Sequence, residues 1–414
     1  MHRRPEQAAY NIMRTRLFMR SLIPLQKGCR GFCWLPPRRG CLSNNFIRSS
    51  SQITIIIPSL LIQHEQSSAT TRSHSSSSSS SIASSFEAPE PPKSHGQPVF
   101  PDIQFNNDNN NNNNNNNSSD DNTNIALHRN SDANAVFVVS GASRGIGLQF
   151  ISSLLERTQG KLIACCRSPA TAEQLNNIAS QHSDRIEVLP LDLEDQSTID
   201  ALALHITKQY QRIDALFNVA GILGDGGIST PGPERSLASI ERDWLEKSLA
   251  VNVVGPTMLV KALTPLMRTK GRRKITINNN NDDVDESNND GRQQLEVIPP
   301  TDRPPTVVVN LSARVGSISD NQLGGWYTYR SSKSALNQMT RTMAHELKRQ
   351  GSHIIALHPG TTNTDLSKPF QKNVQDRRLF PVEFTVEKLL DVVESVTEEN
   401  NGGFYDWAGK ALPF

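Results

Sequence analysis

Apolar residues along the chain alternate between short, nearly continuous runs and longer stretches with helical spacing. The short runs predict strands at 135–140, 161–166, 186–191, 213–218, 306–311, 353–357 and 403–405. The longer stretches predict helices at 147–157, 171–182, 197–210, 237–267, 326–349 and 386–397. Strands that alternate with helices and are apolar on both faces favour a parallel sheet covered on both sides. The pattern therefore predicts an α/β fold, a single Rossmann-like domain with a doubly wound parallel sheet.

Two polar tracts precede or interrupt this pattern. Residues 65–131 contain long serine and asparagine runs, and residues 271–305 combine asparagines with the acidic sequence NDDVDESNNDG. Such tracts bury too little apolar surface to offset the entropy of ordering. We therefore predict a disordered linker at 65–131, a folded domain at 132–414 and a disordered insertion at 271–305.

Residues 1–64 form a basic leader with a single acid, Glu6, although the whole chain carries a net charge of only +2. A leader rich in Arg and Ser and poor in acids is typical of an organelle transit peptide. We expect import into the mitochondrion. Three alternatives stay open: a cytoplasmic protein with an N-terminal extension, targeting to a plastid, and translation of a stretch upstream of the true start. The apolar run 53–62 contains Pro58 and is too short to cross a bilayer, so no membrane span is predicted.

The five cysteines predict neither a metal site nor a disulfide. Cys29, Cys33 and Cys41 lack the paired spacing and the histidines of a zinc site. Cys165 and Cys166 are adjacent in a predicted strand, so we expect their side chains to face opposite sides of the sheet as small buried hydrophobes.

Tyr329 and Lys333 stand four residues apart in a predicted helix, so their side chains share one face. A free tyrosine has a pKa of about 10, and a nearby ammonium favours the phenolate and moves the pKa toward neutrality. Such a tyrosine can exchange a proton with a substrate oxygen. The spacing alone also fits an ordinary solvated helix face.

The first strand and the first helix are joined by the sequence SGASRGIG, which contains Gly141, Gly145 and Gly147. Glycines at such a turn let the backbone approach a pyrophosphate, and the helix N-terminus supplies amide donors. Its place after the first strand of a βαβ pattern favours a dinucleotide site over a tight turn without a ligand.

The end of the second strand predicts which dinucleotide is bound. An acidic residue there suits the free ribose hydroxyls of NAD, whereas a guanidinium suits the 2′-phosphate of NADP. This chain has Arg167 at that place, with Arg144 in the glycine turn to assist it. We interpret Arg167 as an NADP(H) ligand; a surface arginine in a loop is the alternative.

These motifs follow the order found in short-chain dehydrogenases/reductases, and the sequence resembles that family from Val136 to its C-terminus. It departs from the family pattern at Ser140, where Thr is commoner, and at Val219, within the N-N-A-G element. More narrowly, NVAGILG, LSARVGSISDN and GGWYTYRSSKSALN resemble C-factor and sniffer-like carbonyl reductases. Together with Arg167, the resemblance implies cofactor binding by Gly141, Ser143, Arg144, Gly145, Ile146, Gly147, Asp192, Leu193, Asn218, Ala220, Gly221, Tyr329, Lys333, Pro359, Gly360, Thr362 and Thr364.

The same resemblance implies hydride transfer from NADPH to the carbonyl carbon of a small molecule, an aldehyde, ketone or quinone. Tyr329 would donate a proton to the developing alkoxide, and Lys333 would hold the cofactor ribose and lower the pKa of the tyrosine. Asn252 would hold a water for proton relay. This chemistry needs no metal.

The serine of the family is usually the second of a Ser-Ser pair that ends the fifth strand. Here the pair is Ser312 and Ala313, so either Ser312 or Ser317 would supply the hydroxyl, and we choose Ser312. This departure, with the insertion before the strand, keeps open a second function: an NADP(H)-binding signalling or scaffold protein with little turnover.

Macromolecular partners are only partly predicted. The folded part lacks the basic, aromatic-studded surface of a nucleic-acid binder, so no nucleic-acid partner is expected. The family often pairs through the helix that carries Tyr329, and the resemblance therefore implies a homodimer or a homotetramer.

The resemblance also places the walls of the substrate pocket in two segments, the loop 222–235 and the segment 365–384. The sequence does not name the substrate. Phe370, Phe380 and Phe384 give the second wall an apolar character, and Trp326 and Tyr327 are expected at the entrance. Ordinary packing of a mobile lid is the alternative for these aromatic residues.

Overall fold

The computed structural model describes Gly96 and residues 99–105, 119–270, 273–278, 292–297 and 303–414. The leader 1–64, and with it the import prediction, lies outside these residues. The helices are α1 Ser119–Ser131, α2 Gly145–Arg157, α3 Glu173–Gln181, α4 Gln196–Gln209, α5 Arg242–Leu249, α6 Gly255–Leu263, α7 Tyr327–Leu347 and α8 Val382–Glu394. The strands are β1 Val136–Ser140, β2 Lys161–Cys166, β3 Ile186–Pro190, β4 Ala215–Asn218, β5 Arg273–Asn278, β6 Arg292–Val297, β7 Thr306–Leu311, β8 Ser352–His358, β9 Thr361–Thr362, β10 Leu379–Phe380 and β11 Phe404–Asp406.

Seven parallel strands form the central sheet, in the spatial order β11-β8-β7-β4-β1-β2-β3. The order of the strands reverses beside β1, which lies between β2 and β4. In such sheets ligands bind in the crevice outside the carboxyl ends of the strands at this reversal. The register places Ser140 beside Cys165 and Asn218, and Asn218 beside Asn310. The Rossmann-like, doubly wound fold predicted from the sequence is confirmed.

Each face of the sheet is covered by helices and has its own apolar core. One core takes side chains from α2 and α8, and the other takes side chains from α4, α6 and α7. Cys166 packs in the first core and Cys165 in the second, and both are free thiols. The prediction that these two cysteines face opposite sides is confirmed.

The helix predicted at 237–267 is divided into shorter pieces. It begins only at Arg242, and a π-helical turn, Ala250–Val254, separates α5 from α6. Pro256 has no amide hydrogen to donate, and the amide of Gly255 just before it bonds five residues back to the Ala250 carbonyl. A 3₁₀ turn that contains Pro265 ends the helix. The two prolines thus fall where the sequence predicts kinks.

By length and composition alone, Arg242–Leu266 is also the one helical stretch among the described residues that could cross a membrane. In this fold Leu259, Val260 and Leu263 of that stretch are buried against the sheet. A core helix passes the same test, so the stretch does not indicate a membrane span.

The insertion predicted to be disordered at 271–305 contains regular structure. Strands β5 and β6 pair antiparallel, with Arg273 opposite Val297. Near the end of the insertion Arg303 is buried, and its Nε donates to Asp214 Oδ1 at 2.9 Å. These parts are regular within a tract predicted to be disordered, because the composition of the tract hides the strand-like alternation in RKITIN. The composition of the tract also gives no sign that Arg303 pairs with Asp214, which is distant from it in the sequence.

The last part of the predicted linker 65–131 also contacts the folded domain. Ile103 is buried, and its amide donates to the Gly409 carbonyl at 2.8 Å. In α1, Asn130 Nδ2 donates to Glu394 Oε1 at 2.9 Å. Contacts with the C-terminal part thus extend to residues before 132, where the sequence predicts the folded domain to begin.

Replacing Ile103 by alanine tests whether this segment belongs to the fold. We expect Ile103→Ala to lower the free energy of unfolding by about 2–3 kcal/mol, because buried methyl groups are lost and a cavity remains. Val99→Ala, in the same segment but 61% exposed, should change it by less than about 0.5 kcal/mol. Urea unfolding of the two variants measures both values. Equal unfolding free energies would contradict the assignment.

Candidate active site

The turn between β1 and α2 requires glycine at three positions. Gly141 and Gly145 have φ angles of 73° and 56°, in the left-handed region that disfavours side chains. A Cβ on Gly147 would collide with the Gly141 carbonyl, and one on Gly141 would lie 2.9 Å from the Ala220 backbone. An anion can therefore approach the backbone at the start of α2. The turn contains all six cofactor residues predicted in this region: Gly141, Ser143, Arg144, Gly145, Ile146 and Gly147.

Polar side chains join the carboxyl ends of β1, β4 and β7. Ser140 Oγ accepts hydrogen bonds from the amides of Val219 at 3.2 Å and Ala220 at 3.5 Å. Asn218 Nδ2 donates to Asn310 Oδ1 at 2.8 Å. The contact at position 219 uses only the backbone, which explains why valine fits there. Asn218, predicted to bind the cofactor, is buried and makes a contact between strands.

The two arginines predicted to hold a 2′-phosphate are both exposed. Arg167 follows the end of β2, and Arg144 caps α2 without a side-chain hydrogen bond. Arg144 NH1 lies 3.9 Å from Asp365 Oδ2, with both side chains largely in water. Such a pair contributes at most about 1 kcal/mol, so an incoming phosphate can compete for the guanidinium.

Asp192 and Leu193 follow β3 and differ in their surroundings. Asp192 is partly exposed, and its Oδ1 accepts a hydrogen bond from the Glu194 amide at 3.0 Å. Leu193 is buried against Gly255 at the start of α6, where a Cβ would collide with it. The side chain of Leu193 therefore packs in the core beneath the predicted adenine site.

The loop after β8 approaches the glycine turn. Gly360 turns the chain with a φ of 72°, and Thr362 Oγ1 donates to the Pro359 carbonyl at 3.3 Å. Thr362 Oγ1 also lies 3.0 Å from Thr385 Oγ1, so the side chain of Thr362 is buried between its loop and α8. Thr364 lies on the other side, where its methyl group would be 3.5 Å from a Cβ on Gly145. The structure thus brings the predicted nicotinamide loop against the predicted pyrophosphate turn.

Helix α7 carries Tyr329 and Lys333 on one face, as their spacing predicts. Lys333 Nζ lies 5.6 Å from the centroid of the Tyr329 ring and donates to the Leu311 carbonyl at 2.8 Å. Lys333 is only 4% exposed. Gly221 approaches from the end of β4, since a Cβ there would lie 3.6 Å from Nζ.

Asn252 joins the same cluster from the π-helical turn. Its Oδ1 accepts from the Ile222 amide at 2.8 Å, and its Nδ2 donates to the Ile222 carbonyl at 2.9 Å and to Ser332 Oγ at 3.0 Å. Ser332 Oγ donates in turn to the Tyr329 carbonyl at 2.9 Å. The side chain of Asn252 therefore holds the segment after β4 against the first turns of α7.

The expected effect of Lys333 on Tyr329 is not seen in this structure. Burial raises the pKa of the Tyr329 phenol above its ordinary value, and burial lowers the pKa of Lys333 to about 8. The sequence prediction of a pKa near neutrality for the tyrosine is wrong here. It counted the ammonium and left out the loss of water around both groups. With the pKa raised in this way, the phenol keeps its proton at neutral pH.

The serine position departs from the expectation. Ser312 is buried, and its Oγ donates to Asn337 Oδ1 in α7 at 2.6 Å. Ser317 is also buried, and its Oγ accepts from the Asp320 amide at 3.1 Å. Ala313 offers no hydroxyl. Each of the two candidate serines is thus engaged in a contact that holds its own segment in place.

Aromatic side chains border Tyr329. The Trp326 ring lies 6.3 Å from the Tyr329 ring and 5.5 Å from the Phe370 ring, measured between centroids. A Cβ on Gly226 would lie 4.0 Å from Phe370. Trp326 and Phe370 therefore line the side of the site where the sequence places the substrate, while Tyr327 is more than a third exposed.

Phe380 and Phe384 form an aromatic cluster with Trp407. Their rings lie 5.2 Å apart and both contact Trp407, at 4.9 Å and 5.6 Å. This cluster packs with α8 in the core. This packing agrees with the alternative that the sequence leaves open for these two residues, ordinary packing of an apolar segment.

Three residues that shape the site are absent from the sequence expectations. Ser332 joins Asn252 to Tyr329, and its spacing of three from the tyrosine could have placed it on the same helix face. Asn310 lies one residue before the end of β7, and its Nδ2 donates to Thr340 Oγ1 at 2.9 Å. Glu234, in the loop after β4, contacts the start of α7 and has no local signal in the sequence.

The burial of Lys333 predicts a stability that depends on pH. Its pKa of about 8 lies below the unfolded value of 10.5, so the folded state disfavours the ammonium at pH 7. Lys333→Met should therefore raise the free energy of unfolding by about 1–2 kcal/mol at pH 7.

From pH 8 to 10.5 the unfolded chain binds more protons at this position than the folded chain, so the unaltered protein gains stability and the difference should shrink. Denaturant unfolding of both proteins at several pH values measures this. Lys208→Met, at an exposed position on α4, is the control and should change stability by less than about 0.5 kcal/mol. A difference that grows with pH would contradict the argument.

The chain matches the family model described as short chain dehydrogenase over residues 135–278 and 296–375, which is more than half of its length. It is 26% identical to the 1-hydroxy-2-glutathionyl-2-methyl-3-butene dehydrogenase of Rhodococcus, over 66% of this chain and 97% of that protein. It is 26% identical to the C-signal protein of Myxococcus xanthus, over 49% of this chain and 93% of that protein.

Solved structures show the same likeness. The carbonyl reductase Sniffer of D. melanogaster superposes with a TM-score of 0.54 at 27% identity, covering 68% of this chain and all of that chain. The NADPH-bound carbonyl reductase from chicken fatty liver gives a TM-score of 0.54 at 25% identity, covering 68% of this chain and 99% of that chain. With the glycine turn, the Tyr329 and Lys333 pair and the seven-stranded sheet in place, this chain belongs to the short-chain dehydrogenase/reductase family of oxidoreductases.

Proposed function

We propose that the chain is an NADPH-dependent carbonyl reductase that converts an aldehyde, ketone or quinone into an alcohol. The observation that carries the proposal is the convergence of Tyr329, Lys333 and Asn252 beside the segment 219–222. That segment in turn packs on the glycine turn. The likeness to a carbonyl reductase that is NADPH-bound supports the choice of cofactor and reaction.

The residues present fit a dinucleotide. The glycine turn leaves a cradle that side chains would fill, and α2 begins there with its amide donors. Arg167 and Arg144 would hold the 2′-phosphate, Asp192 the adenine side, and the loop from Pro359 to Thr364 the nicotinamide. When bound, NADPH supplies the hydride that the carbonyl carbon accepts.

Tyr329 acts as the proton donor. Burial keeps its phenol protonated at neutral pH, so the proton can pass to the carbonyl oxygen as that oxygen gains negative charge. Lys333 has a pKa of about 8 and is mostly an ammonium at pH 7. Its positive charge beneath the ring stabilises the phenolate that remains after the transfer.

Ser312 is our candidate for polarising the carbonyl group. For this role its hydroxyl has to leave Asn337, to which it donates at 2.6 Å. The alternative is a reaction in which the tyrosine alone contacts the carbonyl oxygen. That reaction would be slower, because a missing oxyanion donor typically lowers turnover about 100-fold or more. A chain that binds NADPH tightly with little turnover is the corresponding second function.

The Tyr329→Phe variant tests the proposed reaction. We expect it to bind NADPH as the unaltered chain does. It should reduce carbonyl compounds at least about 100-fold more slowly, because the acidic proton of the phenol is gone. NADPH oxidation over a panel of aldehydes, ketones and quinones measures the rates. Tyr210→Phe, at a tyrosine that follows α4 and whose hydroxyl donates to Glu187, is the control and should keep full activity. Unchanged turnover in Tyr329→Phe would refute the assignment, and tight NADPH binding with no turnover by the unaltered chain would favour the second function.

The Arg167→Ala variant tests the cofactor assignment. Loss of a charge-assisted contact to the 2′-phosphate should raise KM for NADPH about 10-fold or more and leave KM for NADH unchanged. Initial rates with the two cofactors at a fixed substrate concentration give both values. Arg242→Ala, on the outer surface of α5, should alter neither. Equal use of NADH and NADPH by the unaltered chain would contradict the role given to Arg167.

A further inference from the structure

Glu234 is a buried acid in the connection between β4 and α5 that the proposed chemistry does not use. Its side chain is 3% exposed. Its Oε2 accepts a hydrogen bond from the Thr328 amide at 3.1 Å, and its Oε1 accepts one from the Thr328 hydroxyl. Its backbone carbonyl accepts from the Trp326 amide at 2.5 Å. One residue thus holds three donors at the start of α7.

The start of α7 does not satisfy its amides with its own side chains. Its N-cap residue, Trp326, makes no side-chain capping bond, and its first turn contains no acidic residue. The first amides of a helix have no partner within the helix, and a negative group near them is favourable. Glu234 therefore supplies from another segment what a capping residue usually supplies locally.

The conformation of Trp326 also depends on this contact. Its φ and ψ are 56° and 40°, a left-handed conformation that is rare for a bulky side chain. It follows Gly324 and Gly325, which also have positive φ. Such strain persists where the surroundings fix it, and it is common at functional sites. Here it places the indole between Tyr329 and Phe370.

The connection after β4 therefore holds α7 at two points. Ile222 binds Asn252, which reaches the Tyr329 carbonyl through Ser332. Glu234 binds the helix start one residue before Tyr329. Between the two points the connection closes on itself, with the Gly226 amide donating to the Gly232 carbonyl at 2.6 Å. The segment expected to form one pocket wall thus also sets the position of the catalytic helix.

We infer that Glu234 is a positioning residue of the active site: it fixes the first turn of α7, and with it Tyr329 and Trp326, in the geometry that proton donation requires. Proton transfer depends on hydrogen-bond distances between the donor and the substrate oxygen. A displacement of about 1 Å at the donor lowers the rate about 100-fold. The inference deepens the proposed function and rests on it for its kinetic part.

The first measurement is hydrogen exchange, which does not need catalysis. In Glu234→Ala the Thr328 amide loses its acceptor, the carboxylate. The Trp326 amide keeps the backbone carbonyl of residue 234, but that carbonyl is no longer held in place by the side chain. We therefore expect both amides to exchange at least about 10-fold faster. Glu234→Gln keeps an acceptor of the same shape without the charge and should show a smaller increase. Glu241→Ala, at an exposed glutamate of the same connection, should leave exchange at residues 326–330 unchanged.

The second measurement separates positioning from general stability. In Glu234→Ala we expect kcat for carbonyl reduction to fall about 10-fold or more while KM for NADPH stays within about two-fold, because only the donor is displaced. In a Tyr329→Phe background the same change should have no further effect on turnover. Thr328→Ser, which keeps the hydroxyl, should retain activity, and Thr328→Val should lose part of it.

The outcomes distinguish the inference from the function on which it rests. Unchanged exchange at Trp326 and Thr328 in Glu234→Ala, or unchanged kcat in a chain that reduces carbonyls, overturns the positioning role. An equal loss in the Tyr329→Phe background also overturns it, because the effect would then bypass the tyrosine. If the unaltered chain reduces nothing in the panel while exchange still responds as expected, the contact stands and the proposed reaction fails.

Discussion

A row of buried hydrogen bonds between β7 and α7 sets the position of everything else in the site. Asn310 donates to Thr340, Ser312 donates to Asn337, and Lys333 donates to the Leu311 carbonyl. The three helix residues are spaced by three and four positions, so they lie on one face of α7. Buried polar groups without partners are costly, and a helix shifted by one residue would leave most of these groups unpaired. The row therefore fixes the register of the helix against the sheet.

This constraint explains why the tyrosine lies where the cofactor edge of the sheet ends. Once α7 is in register, Tyr329 projects one turn before Lys333, at the carboxyl end of the strands. The same burial lowers the pKa of Lys333 and raises that of Tyr329, so both groups are less ionised than in water. The chain keeps an ammonium in a position that costs stability, which is common where a charge serves catalysis.

The sequence predicts the local parts of this arrangement well. The spacing of Tyr329 and Lys333, the glycine turn and the opposite faces of Cys165 and Cys166 follow from periodicity and from turn chemistry. The features that the sequence does not predict arise from contacts between distant segments. Burial reverses the expected shift of the tyrosine pKa, Phe380 packs in the core, and Arg303 reaches Asp214 from a tract that reads as disordered. None of these three features produces a periodic pattern in the sequence from which it could be predicted.

The same row of hydrogen bonds engages Ser312, the candidate for the serine of the family. Asn310 and Ser312 are two residues apart, and both side chains meet α7, so Ser312 continues the polar row beyond the end of β7. A hydroxyl that donates to Asn337 has no second proton to offer a carbonyl oxygen. In the reaction we propose, helix registration and oxyanion stabilisation would therefore compete for the Ser312 side chain, and Ala313 has no hydroxyl to relieve the competition. While Ser312 stays bonded to Asn337, the proton of Tyr329 and the charge of Lys333 would supply most of the stabilisation in that reaction. The exact position of the first turn of α7 would then matter more than in a site where a second donor is free.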